Sequence, residues 1–224
     1  MKWPRWRSCC TCCGPTNTSS TWARTSAAIR SWPGGAKAHV TAVEPIAASF
    51  TNLRRNVSLN ALDDRVECHR VGLSDAPGTL RFTSGLDTVN HVLSEGEDAP
   101  FVEVPVIRLD DLIAAAPAPL LIKIDVEGHE LAVLRGAQQT LDNPALLAVI
   151  METNGSGARY GVLDDELRAE MHRHGFLPCG YDPFARTLTD ARDSRGNTVF
   201  VRDRAAVEAR AKGAPRFGLV NGAI

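Results

Sequence analysis

Apolar and polar positions along this chain fall into two regimes, and the change comes near Pro33-Gly34-Gly35. From Ala38 onward, short apolar runs alternate with amphipathic stretches, the pattern of strands alternating with helices. His39 to Val43 is an apolar run of strand length ending in Glu44-Pro45, and Ala47 to Leu59 carries a helical stripe in Phe50, Leu53 and Val57. Arg65 to Val71 and Thr79 to Thr83 read as extended, on either side of the turn signal Ala76-Pro77-Gly78. Phe101 to Ile107 alternates as a strand, and Leu109 opens a short helix that Asp110 or Asp111 is placed to cap. Leu120 to Asp125 is a buried strand by composition. A helix is expected from Gly128, with Leu131, Leu134, Ala137 and Leu141 inward, and Leu146 to Met151 is the next buried strand, closing at Glu152. Asp164 to His174 reads as a helix with Leu167 and Met171 inward and Gly175 suited to its C-terminal cap. Tyr181 to Val201 reads as two extended segments joined by a polar loop, and the chain after Arg202 shows no clear pattern.

Strands alternating with helices predict an α/β fold with a mostly parallel sheet, and the late strands without a helix between them predict an antiparallel C-terminal edge hairpin. The first 35 residues do not share this grammar. All four tryptophans lie there, as do Cys9, Cys10, Cys12 and Cys13, and no Asp or Glu precedes Glu44. A zinc site needs a second separated ligand pair, which the isolated Cys68 and Cys179 do not supply. No apolar core of a secretory signal follows the basic residues, so an unstructured tail is the better reading. The expected organisation is therefore residues 1–35 as an aberrant, disordered segment, 36–203 as one domain and 204–224 as a tail. A formal net charge of −1 gives no general attraction to nucleic acid or a membrane surface. No stretch approaches the roughly 20 apolar residues of a spanning helix, and a cytoplasmic location is expected.

In doubly wound folds ligands sit at the carboxyl ends of parallel strands. Four carboxylates fall at or just past predicted strand ends: Glu44, Asp75, Asp125 and Glu152. Each alone also reads as a solvated loop or capping residue, but the set is more telling than its members. Glu44 is placed to accept from the ribose hydroxyls of an adenosine, which suits a nicotinamide dinucleotide as well as S-adenosylmethionine. Asp75 is placed to accept from an adenine amino group. Asp125 faces the point where the reacting ends of cofactor and substrate meet. Glu127 is either a base for a hydroxyl or a helix-starting acid, and Glu130 reads as the latter. His129 is taken as solvent-facing and left outside the site. No metal is expected.

The stretches VTAVEPIAASFTNLRRNVSLN, VGLSD, VPVIRLDDLI and LIKIDVEGHELAVLRGAQQTL resemble, in order and spacing, successive blocks of the FkbM-type S-adenosylmethionine-dependent methyltransferases. The DVEGHE block after an apolar strand is the most distinctive, and the resemblance runs from about Ala38 to Val201. It implies a Rossmann-like, seven-stranded fold, S-adenosylmethionine as methyl donor, and O-methylation of a sugar or natural-product hydroxyl. It also implies Glu44 on the ribose, Asp75 near the adenine, and Asp125 with Glu127 at the reacting end; Leu73 and Asp125 join Glu44 and Asp75 as cofactor-binding candidates. Glu152 completes the catalytic candidates as the remaining strand-end carboxylate. The implied partner is a small-molecule or glycan acceptor, with no nucleic acid and no membrane. A nicotinamide-dependent oxidoreductase is the alternative, weakened by the lack of a Tyr-x₃-Lys pair. A non-catalytic remnant is the third reading.

One block of that family is missing: the first strand and its glycine loop, whose backbone would approach the cofactor. Ser20 to Pro33 occupies its place. Read two bases later, one choice of codons for that segment encodes Asp-Val-Gly-Ala-Asn-Ile-Gly. The first Gly of that reading is forced, because the Trp22 codon ends in the G that precedes the GC of Ala23. Residues 1 to about 34 are thus expected to be translated in a shifted frame, which the gene's bases test directly.

Overall fold

The computed structural model describes residues 38–85, 90–190 and 196–215, with short backbone stretches at 218–219 and 222–223. The expected aberrant segment and the frame shift lie outside the described residues.

Strand β1 (Val40–Val43) pairs in parallel with β2 (Val66–His69), in register from Val40 with Val66 to Val43 with His69. Helix α1 (Ala47–Leu59) connects them and buries Leu53 and Val57 against Val40, Ala42, Leu62 and Val66. The extended run expected to reach Val71 stops at His69. The chain then enters β3 (Gly72–Leu73), which pairs not with β1 but with β5 (Phe101–Ile107), itself antiparallel to β4 (Gly78–Thr83).

The larger sheet has the order β6-β7-β10-β8-β9. Its strands are β6 (Leu121–Ile124), β7 (Ala148–Thr153), β8 (Leu177–Asp182), β9 (Thr187–Asp190) and β10 (Gly196–Val201). The β6–β7 ladder is parallel, β10 is antiparallel to both its neighbours, and β8–β9 is the expected antiparallel edge hairpin. Where two late extended segments were expected, three strands form, because Leu177–Asp182 already belongs to the sheet. Among the described residues the strands form separate two-, three- and five-stranded ladders, not one seven-stranded sheet.

Both faces of the five-stranded sheet are covered. Ile122, Ile124, Val149, Met151 and Phe200 face one core; Leu121, Ala148, Ile150 and Val201 face another. This period-two split explains why β6 and β7 read as continuous apolar runs.

The helix expected from Gly128 is broken in two, α3 (Glu130–Arg135) and α4 (Gln138–Asp142). Asp110 is the reason: its carboxylate accepts the N–H groups of Gln139 and Thr140 and so opens a new helix there. Neither Asp110 nor Asp111 caps its own helix, α2 (Leu109–Leu112); Asp111 pairs with Arg108 instead. Helix α5 (Asp164–Arg173) buries Leu167 and Met171 as expected, and Gly175 follows it at φ +78°. Residues expected to be a patternless tail form α6 (Arg204–Gly213), capped by Asp203 and packed through Val207 onto the sheet. The buried Arg186 closes its far end by donating to the carbonyls of Ala211, Ala214 and Pro215. No helix among the described residues is long and apolar enough to cross a membrane.

Candidate active site

Strand β6 is buried on all four positions, including Lys123 at 3% exposure. A buried ammonium needs a counter-charge, and Asp125 Oδ2 supplies it at 2.6 Å from Nζ. Lys123 was missed in the sequence; a lysine inside the apolar run LLIKID is the signal that could have found it.

Past Asp125 the backbone turns through two positive φ angles, +53° at Glu127 and +104° at Gly128. A Cβ at Gly128 would lie 2.6 Å from the carbonyl oxygen of Ser156, so only glycine fits. Glu130 locks this turn. Its buried carboxylate accepts the N–H groups of Val126 at 3.2 Å and Gly128 at 3.1 Å, and burial raises its pKa against those hydrogen bonds. Glu130 is thus more than a helix-starting acid.

Parallel pairing of Ile124 with Met151 sets the next residues side by side: Asp125, just past the end of β6, and Glu152, still within β7 and paired with Asn197 of β10. Carboxylate oxygens of Asp125, Glu127 and Glu152 lie within 4.8 Å of one another. Burial, then the charges of Asp125 and Glu127, push Glu152 up to about 7. A cluster of acids does not by itself make a metal site, and Lys123 already provides a cation here.

Glu44 extends the β1–β2 ladder by donating its N–H to the His69 carbonyl at 3.1 Å. Its side chain is buried, with Oε1 accepting the Ile46 N–H at 3.0 Å ahead of α1. Its two neighbours, Val43 and Pro45, line a cleft together with Leu73, Asp125, Val126 and His129. The cleft encloses about 640 Å³ counted out to open solvent. The ends of β1, β3 and β6 therefore share one cavity. Asp75 is exposed just beyond, joined to Ser74 Oγ at 3.2 Å.

His129 is not solvent-facing as expected. It is partly buried in the cleft wall, its Nε2 3.1 Å from Ser74 Oγ, and burial lowers its pKa against the pull of Asp75. Its ring meets Tyr160 edge-on at 5.9 Å. Tyr160, in the 3₁₀ turn Ser156–Tyr160, donates its hydroxyl to the Val92 carbonyl at 2.5 Å. Val92 and the buried Asn90 close another side of the cleft. The segment they begin is clasped by His91 and Glu97 at 2.9 Å; the Ser94 N–H and His91 hold Glu97 down at about 2.

Residues 13–178 match the model of the methyltransferase FkbM domain. The hexuronic acid methyltransferase AglP of Haloferax volcanii is 33% identical over 112 residues, covering 48% of this chain and 44% of that protein. Methyltransferase 1 of Beauveria bassiana is 32% identical over 120 residues, covering 43% of this chain and 48% of that protein. The chain thus spans less than half the length of each relative. Among solved structures, methyltransferase FkbM from Methylobacillus flagellatus superposes with a TM-score of 0.52 at 16% identity, covering 82% of this chain and 43% of that one. That likeness is one of fold.

Proposed function

This chain belongs to the methyltransferase FkbM domain family, with S-adenosylmethionine as its cofactor, and on that premise we propose that it methylates a hydroxyl oxygen of a sugar or other small molecule. The observation that carries the proposal is the carboxylate cluster of Asp125, Glu127 and Glu152, which meets an apolar cleft through Asp125. The cleft suits the cofactor chemically. Its apolar walls, Val43, Leu73 and Val126, accept an adenosine; the acidic end complements a sulfonium charge. Glu44 would hold the ribose, Leu73 and Asp75 the adenine, and Asp125 the amino-acid end nearest the reaction.

The cofactor supplies an electrophilic methyl group. The chain's own work is to place the acceptor oxygen in line with it and remove the hydroxyl proton. Asp125 is poorly suited to take that proton, because its charge is committed to Lys123 at 2.6 Å. Glu152, titrating near 7, is matched to the task at physiological pH. Glu127, the third carboxylate of the cluster, orients the acceptor hydroxyl. The hexuronic acid methyltransferase among the relatives favours a sugar as acceptor.

The test is S-adenosylhomocysteine formation across a panel of glycosides, including uronic acids, with wild type and Glu152→Gln. Turnover should fall by about a hundredfold in the variant while cofactor affinity holds. Equal turnover removes Glu152 from the role, and no product with any hydroxyl acceptor when the cofactor is saturating overturns the proposal. Because the glycine loop is missing from this sequence, cofactor affinity is expected to be weak; a micromolar dissociation constant by calorimetry would contradict that.

A further inference from the structure

The turn after β6 and the loop after β3 approach the cleft from different ladders, and one side chain joins them. His129 Nε2 reaches Ser74 Oγ at 3.1 Å, and Ser74 Oγ donates to Asp75 Oδ1 at 3.2 Å. A hydroxyl has one hydrogen to give. With that hydrogen on Asp75, the proton between Ser74 and His129 belongs to Nε2, so the imidazole is the Nε2–H tautomer. The relay is anchored on both sides. The Ser74 N–H donates to the Ile107 carbonyl at 3.0 Å, and the missing Cβ of Gly136 lets the α3–α4 junction rest against the Ser74 carbonyl. Tyr160 packs edge-on against the imidazole at 75°.

We propose that His129 is a positioning residue: by donating to Ser74 it commits the Ser74 hydroxyl to Asp75 and so aims the Asp75 carboxylate at the purine amino group of the cofactor. This rests on the reading of Asp75 given above. It adds a role for two side chains, His129 and Ser74, that the methyl-transfer chemistry itself leaves unused. It also makes purine recognition depend on the turn that carries Asp125, so that the two ends of the cofactor are held by one connected set of hydrogen bonds.

His129→Gln keeps a side-chain N–H donor at similar reach, His129→Ala removes it, and Ser74→Ala removes the middle of the relay. Calorimetry with S-adenosylhomocysteine and S-inosylhomocysteine, in which a carbonyl replaces the purine amino group, reads the aim of Asp75. Wild type should prefer the adenosyl form. That preference should fall about tenfold in His129→Ala and in Ser74→Ala, fall no further in the double variant, and survive in His129→Gln. Deuterium exchange of ligand-free protein gives the second readout. The amides of Leu73 to Asp75 should exchange about tenfold faster in the two alanine variants and return to wild-type rates in His129→Gln. Unchanged exchange in His129→Ala would overturn the relay while leaving the methyltransferase reading standing. A wild type indifferent to the purine amino group would overturn the aim of Asp75, and with it the proposal. Additive losses in the double variant would show that the two residues act separately, which also overturns it.

Discussion

The two walls of the cleft are built on different scales. Asp125, Glu127 and Glu152 stand on a sheet covered on both faces, with Leu134, Leu141, Met151 and Phe200 fully buried beneath them. Glu44 stands on two strands and one helix, whose core is a single small cluster around Leu53 and Val57. The first wall holds like charges close together, which costs free energy that only a rigid support can sustain. The second holds one carboxylate that its own backbone satisfies two residues away. On the proposed reading, chemistry falls to the strong wall and recognition to the weak one.

The largest expected break comes where the α3–α4 junction beside the strong wall meets the loop after β3. A Cβ on Gly136 would lie 2.1 Å from the Ser74 carbonyl oxygen, so Gly136→Ala should cost about 4 kcal/mol or more in urea denaturation. Next come paired truncations. Leu53→Ala and Leu134→Ala should each cost about 3 kcal/mol. Leu134→Ala should lower protection throughout the molecule, whereas Leu53→Ala should loosen residues 40–69 first, as deuterium exchange by segment would show. Identical exchange patterns would mean that the two walls unfold as one. Glu130→Ala should follow at about 2 kcal/mol, since it strands the Val126 and Gly128 N–H groups in a buried turn.

A smaller effect depends on pH. Glu152 titrates near 7 in the folded protein and near 4.5 when unfolded, so the native state holds a proton that the unfolded chain has lost between those values. Stability should therefore be highest below about pH 4.5 as far as this group is concerned, decline as pH rises to 7, and level off above. Because the side chain is partly solvated, the decline is about 1 kcal/mol. Glu152→Gln should abolish it and raise the melting temperature at pH 8 relative to wild type. The smallest effect is expected far from both walls. Arg81, exposed beside Glu103 and stacked over Phe101 at 4.8 Å, should lose at most about 0.5 kcal/mol on truncation to Ala.

Much of this was legible in the chain because single residues declare local structure. Leu53 and Val57 announced α1 by spacing, and Gly175 marked the end of α5. Strand-end acids followed from apolar runs, so Glu44, Asp125 and Glu152 were visible before any fold was known. What stayed hidden was set by contacts between distant segments. Asp110 breaks a helix that begins some twenty residues further on, which no spacing rule foresees. His129 gained its place from Ser74, 55 residues earlier. Lys123 was concealed by its own strand: only knowing that both faces are covered makes its charge an obligation to Asp125. Arg186 likewise serves a helix that the sequence did not declare.

The backbone of Glu127 invites a protein engineer to a mistake. At φ +53° a side chain costs about 1 kcal/mol that glycine would not, so heat-tolerance screens should favour Glu127→Gly. Such a variant would survive warming better and yet lose one of three clustered acids. Selection for durability alone would steadily erase this position, and its retention by a working enzyme would be a record of use.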